Sequence, residues 1–334
     1  MNNFSHIYIE EGAQAYALAG HVLRRFPNAK RVWIKDYKEV FSRSNQHFQL
    51  QKKSMKLVLG IKKENFLYEG SDNSQSFGYR NFYYNTLMLN CVYNCDYCYL
   101  QGMYPSANIV AFVNIEDFFE ATRKAVEERL YKSEPLYLSI SYNTDLLALE
   151  SVVPYSAYWI EFVRTYGDIL IEIRTKSANY KAIRHLEVTP RVILAWTLSP
   201  ADVAWVYEKG TPSLSRRIEA VKEAISDGWQ VRLCFDPILR VENWKEKYTR
   251  FIEKTFDEIP AGKIHDVSVG VFRMNATYFH RIKKGREDSS VLYYPFEVEN
   301  ETVSYPAPQR KEIVSVIYEK LCQYLPEEKI ALWV

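Results

Sequence analysis

No stretch of the 334 residues is long and apolar enough to span a membrane. The amino terminus, Met1-Asn2-Asn3-Phe4, has neither the charged region nor the apolar run of a secretion signal. Charge of one sign is missing too. With 43 Lys and Arg against 41 Asp and Glu the net charge is +2, so no global basic field marks the chain for nucleic acid. There is no low-complexity segment and no short internal repeat. Cysteine is scarce, five residues in all. An odd number with a tight cluster is not a secreted disulfide framework, and a reducing cytoplasm is the expected compartment. What remains is 47% hydrophobic, ample for one large domain or two smaller ones.

Three of the five cysteines fall within eight residues, Cys91-Val-Tyr-Asn-Cys95-Asp-Tyr-Cys98. The spacing is C-x3-C-x2-C with Tyr97 just before the third. Three thiolates this close suit three irons of a four-iron cluster and leave the fourth iron open to a small ligand. Structural clusters usually take four cysteines, so a triplet points to a reactive site. A zinc ion with a distant fourth ligand is the competing use.

From Thr86 onward apolar strands and amphipathic helices alternate. The expected strands are 86–89, 136–141, 169–174, 191–197, 229–235 and 266–271. The helices between them are 115–130, 155–166, 180–186, 213–227 and 244–258. Six such units in series imply a parallel sheet, and right-handed crossovers curl it into a barrel or part of one. Residues 1–80 read as a separate α/β appendage, with strands 6–9 and 31–34 around a helix at 13–26. A turn-rich connector follows at 70–76. Past the sixth strand, 291–298 and 302–305 read as a hairpin turning at 299–301, and 311–324 as a closing helix.

At period two the strands carry polar residues on one face near their C-terminal ends. Ser139, Ser141 and Asn143 line up, as do Glu172, Arg174 and Lys176, then Thr197 and Ser199, then Arg232, Cys234 and Asp236. Buried parallel strands are ordinarily apolar on both faces. Such a row suits a polar ligand in a barrel mouth; satisfied buried pairs, such as Glu172 with Arg232, are the plainer alternative. The run His280-Arg281-Ile282-Lys283-Lys284-Gly285-Arg286 is basic, and tyrosine is abundant at 26 residues. Cations beside aromatic rings suit nucleic acid, although basic runs are more often solvated surface.

The cysteine triplet and its place in a β/α series resemble the radical S-adenosylmethionine superfamily, whose motif is C-x3-C-x-aromatic-C. A closer resemblance, over essentially the whole chain, is to the spore photoproduct lyase family. Its carriers are 91–104, 139–145 and the tail around Tyr305. The resemblance implies a partial (β/α)6 TIM-type barrel at 81–275, the appendage at 1–80, and a DNA-contacting hairpin and closing helix at 276–334. It implies a DNA repair lyase that reverts 5-thyminyl-5,6-dihydrothymine to two thymines through a 5′-deoxyadenosyl radical. The implied cofactors are a [4Fe-4S] cluster on Cys91, Cys95 and Cys98, and S-adenosylmethionine. Double-stranded DNA carrying the lesion and an electron donor are the implied partners of a monomer in the spore core. A radical enzyme on a small molecule and a zinc-bearing nucleic-acid module are the other classes.

Roles implied by the resemblance follow residue by residue. Tyr97 and Tyr99 match tyrosines that relay hydrogen. Ser141 stands where the family carries its hydrogen-donor cysteine, and serine is a poor donor because its O–H bond is much stronger than a thiol S–H. A substituted cysteine and a natural enzyme with another donor are both open. For the cofactor, Arg174 and Lys176 suit its carboxylate; Ser139, Asn143, Thr197, Ser199 and Asp236 suit its amino group, ribose or adenine edge. For DNA the candidates are Arg273, Arg281, Lys283, Lys284 and a wedging Tyr305.

Overall fold

The computed structural model describes residues 4–70 and 75–333. Most of the connector expected at 70–76 lies outside them. Contacts divide the chain into two compact units: Met1–Val92, Met103–Arg174 and His185–Val192 form one, and Tyr93–Gly102, Thr175–Arg184 and Ile193–Val334 the other.

The first unit holds a five-stranded sheet in the order Lys30–Ile34, His6–Glu10, Leu57–Gly60, Ile109–Phe112, Met88–Leu89. The first four are parallel and the last is antiparallel. Two of these strands come from beyond residue 80, so this sheet is not confined to the amino-terminal segment. The expected helix at 13–26 is interrupted at Tyr16, whose backbone is extended, leaving a single 3-10 turn and the helix Ala17–Arg25. A second row in this unit runs Ile169–Thr175, Leu136–Ser139, Phe82–Asn85, all parallel, with Leu67–Glu69 antiparallel beside Phe82–Asn85. The first parallel strand is therefore Phe82–Asn85, not 86–89. The apolar run after it bends at Asn90, a left-handed residue with φ of 70°, whose amide donates to the Asn108 carbonyl at 2.9 Å.

The second unit has Val192–Thr197, Gln230–Ile238, Asp266–Val271 and Ile330–Trp333, parallel throughout. Val192–Thr197 is buried at every position, as a strand covered on both faces requires. Helix Trp244–Glu258 buries Trp244, Tyr248, Phe251, Ile252 and Phe256. Each such side chain contributes at most about 1.5–3 kcal/mol. The helix expected at 180–186 is only the 3-10 turn Tyr180–Ala182. Upstream, the Thr175 hydroxyl accepts from Ser177 N at 2.8 Å and the Ser177 hydroxyl from Asn179 N at 3.0 Å. Such local bonds compete with helix.

The carboxyl-terminal hairpin is Glu297–Glu299 with Thr302–Ser304, and Arg273–Asn275 adds a third strand. Asn300 and Glu301 both have positive φ, the conformation a two-residue hairpin loop needs. Its first arm is shorter than 291–298, because Ser290–Tyr293 is a 3-10 turn. The closing helix, Ala307–Leu321, begins earlier than expected, with proline in its first turn, where no amide hydrogen is required.

Candidate functional site

None of the five cysteines is in a disulfide. Cys91 is half-buried, and its carbonyl accepts from the Lys52 ammonium. Asn94–Cys95 forms a short antiparallel pair with Glu208–Lys209, Cys95 opposite Glu208. Asp96 N donates to Tyr207 O at 2.7 Å and Cys98 N to Cys95 O at 3.1 Å, closing a tight turn. Gln101, on the following helix Leu100–Met103, donates its amide to Cys95 O at 2.5 Å.

Two buried charge networks hold this turn. In one, Glu208 forms an ion pair with Arg217 at 2.6 Å, both fully enclosed, and accepts from Ser199 at 3.0 Å and from the Tyr97 hydroxyl. Arg217 also donates to the Thr197 carbonyl at 3.2 Å. The Lys176 ammonium lies 5.5 Å from the Tyr97 ring centre. Burial works against the Lys176 charge, but Glu208 and the thiols of Cys95 and Cys98 outweigh it and hold its pKa above the usual lysine value. Burial likewise pushes the Glu208 carboxyl up, and Lys176 and Arg217 more than reverse that, leaving it below the ordinary range. Burial, then Glu208, drive the Tyr97 phenol well above its ordinary pKa.

In the other network Asp96, between Cys95 and Cys98, meets Arg286 at 2.6 Å. It also accepts from the Ser289 hydroxyl at 2.7 Å and lies 3.3 Å from Lys209. Arg286 donates further to Gln101 Oε1 at 2.7 Å and to the Asn94 carbonyl at 3.0 Å.

The surroundings fit a cluster. Thiolate-ligated iron is anionic, and Lys176, Lys209, Arg217 and Arg286 stand here against Asp96, Glu208 and Asp288. Among the described residues no three His, Cys, Asp or Glu side chains converge on a single ion.

The first unit brings other candidates together. Ser139, Ser141 and Asn143 are buried. Ser141 Oγ accepts from Arg174 N at 2.6 Å, and Asn143 donates to the Thr86 hydroxyl at 2.9 Å. Arg174 pairs with Glu172 at 3.3 Å, and Glu172 also accepts from Tyr137 at 2.9 Å. In the second unit Arg232 is bound by Asp266, with one bond of 2.7 Å. Tyr99 is half-buried beside the turn.

The DNA candidates divide. Arg281 and Lys284 are exposed and Lys283 half-buried on helix Ala276–Gly285. Arg281 donates to Gly102 O at 3.2 Å, and Lys283 lies 4.5 Å from the Tyr293 ring centre. Arg273 is engaged by Asp236 at 3.2 Å, so one DNA candidate neutralises one cofactor candidate. Tyr305 is not a wedge: it is 1% exposed, packed against Phe272, Tyr294 and Phe296, and its hydroxyl accepts from Arg240 N at 2.7 Å. The hairpin exposes Glu297, Val298, Glu299, Asn300 and Glu301 instead, an acidic tip unsuited to phosphate.

Sequence reading missed Glu208, Arg217, Asp96 and the true place of Arg286. Asp96 lay inside the motif and Arg286 ended the basic run; nothing in local pattern singled out Glu208 or Arg217.

A family model described as spore photoproduct lyase matches residues 3–290. A spore photoproduct lyase of Geobacillus sp. (strain Y412MC61) is 20% identical over 183 residues, 54% of this chain and 53% of that protein. The aligned part thus spans about half the length of that relative. The spore photoproduct lyase of Bacillus subtilis (strain 168) is 23% identical over 268 residues, 78% of this chain and 75% of that one. A solved double mutant of spore photoproduct lyase with bound AdoMet and dinucleoside spore photoproduct matches with a TM-score of 0.84 and 18% identity. That match covers 100% of this chain and 99% of the other. The likeness shows a common fold, mixed α/β with open, parallel-rich sheets.

Proposed function

The chain belongs to the spore photoproduct lyase family, and we propose that it is a radical S-adenosylmethionine lyase that reverts 5-thyminyl-5,6-dihydrothymine in DNA. The observation that carries this reading is the Cys91, Cys95 and Cys98 triplet, set among buried cations in a chain the family model matches over residues 3–290. Each thiolate would hold one iron. The chemistry supplied when cluster and S-adenosylmethionine are bound is a 5′-deoxyadenosyl radical that removes hydrogen from C6 of the dihydrothymine half.

The chain's own residues bind and orient. Lys176 and Arg174 suit the cofactor carboxylate. Ser139, Asn143, Thr197 and Ser199 offer neutral donors and acceptors to its amino group, ribose and adenine edge. Asp236 serves there only if it parts from Arg273, its present partner. Tyr97 is held in place by Glu208, and Tyr99 lies two residues further on the same turn; both are assigned to hydrogen relay. Ser141, fixed by Arg174 N, occupies the donor position. An alcohol there leaves the product thymine radical without an easily abstracted hydrogen.

Lesion-bearing duplex DNA is taken as the substrate, an external electron donor as the reductant and a monomer as the working form, acting in the cytoplasm of the spore core. Among the described residues no helix is long and apolar enough to cross a membrane. The phosphate contacts are assigned to Arg281, Lys283 and Lys284. A lesion must leave the stack to react, which costs least for a damaged pair.

Anaerobic reconstitution with iron and sulfide tests the reading. It expects a brown protein that cleaves S-adenosylmethionine and consumes the dinucleoside lesion. A colourless, zinc-binding protein overturns it. For DNA, Lys283→Gln with Lys284→Gln should lower the slope of log affinity against log salt by about 1.8. An unchanged slope moves the DNA site elsewhere.

A further inference from the structure

The last residue of the basic run does not face solvent. Arg286 follows helix Ala276–Gly285 directly and is 3% exposed. Its guanidinium reaches three points on the cysteine turn: Asn94, before Cys95; Asp96, between Cys95 and Cys98; and Gln101, just beyond. Gln101 in turn donates to the Cys95 carbonyl. Ser289, three residues along, adds a second bond to Asp96. A planar fork spreads its donors over three nitrogens and so reaches these separated acceptors together, whereas a lysine's donors all leave one nitrogen.

A buried ion pair is weak evidence for stability, because a well-packed apolar pair often does as well. What this one adds is geometry, together with a pair of opposite charges beside two of the three thiols. We propose that Arg286 and Asp96 are positioning residues for the iron–sulfur cluster. Arg286 holds the cysteine turn in its ligating form, and the two charges bias the cluster's reduction potential in opposite directions. The proposal rests on the cluster reading and deepens it.

Reduction adds negative charge to the cluster, so a nearby cation favours the reduced form and a nearby anion disfavours it. Arg286→Gln should move the midpoint potential down and Asp96→Asn should move it up. The double variant Asp96→Asn with Arg286→Gln has no unpaired buried charge, keeps hydrogen-bonding groups, and should return near the parent. Arg286→Lys keeps the charge but not the fork. Its potential should stay near the parent while its iron yields to a chelator at about 10–100-fold lower competitor concentration, the usual cost of losing a supporting contact.

The measurements are potentiometric titration followed by electron paramagnetic resonance, and chelator competition on the reconstituted protein. Opposite shifts, with the double variant near the parent, support the proposal; a purely structural role does not reverse sign with the charge removed. Shifts of the same sign, or none, overturn it. So does an Arg286→Lys protein that holds iron as tightly as the parent. Should Arg286→Gln not fold, Asp96→Asn and the double variant decide the sign alone. A parent chain that takes up no cluster at all fails the family reading, and this inference with it.

Discussion

Two buried glutamates behave in opposite ways. Glu208, in the second unit, has Arg217 at 2.6 Å and Lys176 nearby, and its carboxyl is held below the ordinary range in spite of burial. Glu150, in the first unit, has only dipoles: Ser156 N at 2.9 Å and Ala157 N at 2.8 Å, at the start of helix Tyr155–Thr165. There burial prevails and the carboxyl is raised to about 7. The same side chain is an anion in one place and half-protonated near neutrality in the other, and the difference is whether a cation came with it. Around the cysteine turn the fold concentrates cations, as an anionic inorganic group requires. Around Ser139, Ser141 and Asn143 it relies mainly on hydroxyls and amides, which suit neutral groups.

The strongest way to break this contrast is to remove what the cations serve. Cys91→Ala, Cys95→Ala and Cys98→Ala should each abolish the cluster and S-adenosylmethionine cleavage, read by iron analysis and 5′-deoxyadenosine formation. Full activity in any one sinks the ligand set. On the neutral side, Ser141→Cys should change the product without changing cofactor cleavage. The parent should give adducts of the thymine radical with external traps, and the cysteine variant thymine, by mass spectrometry. Equal clean yields from both would show that position 141 is not the donor.

Next comes the pair itself. Arg217→Met strands Glu208 and should cost about 3–5 kcal/mol of unfolding free energy; Glu208→Gln made together with it should recover much of the loss. Chemical denaturation of the metal-free protein measures both. The smallest effect is a pH signature. Glu150 has a folded pKa of about 7 against 4.5 when unfolded, so the folded state binds the extra proton between those values. Stability should fall as pH rises from about 4.5 to about 7, by on the order of 3 kcal/mol at most. Glu150→Gln should flatten that fall. Glu208 has the opposite sign: its contribution is present above its unfolded value and is lost as pH drops through the lower folded one. A Glu150→Gln protein with an unaltered pH profile would refute the assignment.

Much of the fold was legible because the strands and helices that carry it have clear periods. Helix Trp244–Glu258 and strand Asp266–Val271 fall where pattern puts them. The failures have local causes. The 86–89 run reads as a strand by composition, yet the parallel pairing belongs to Phe82–Asn85, because Asn90 turns the chain away. Strand Ile330–Trp333 was missed, being four residues at the end of a chain with no period to read. At the site, the cysteines announce themselves through spacing. Glu208 and Arg217 do not, since their meaning comes only from pairings across sequence. Tyr305 fails as a wedge for the same reason: its sequence context suggests a hairpin surface, while Phe272, Tyr294 and Phe296 enclose it.

Those distant pairings also set an order of events during synthesis. Asp96 finds Arg286 across 190 positions and Ser289 across 193, and Tyr97 finds Glu208 across 111. A growing chain therefore leaves the ribosome with its three thiols in an unsupported loop. At ~5–20 residues per second, roughly 10–40 s pass before the guanidinium that grips them exists. Metal delivered during that interval meets a flexible trio of thiolates, open to oxidation or to the wrong ion. Metal delivered afterwards meets a turn already shaped by the finished protein.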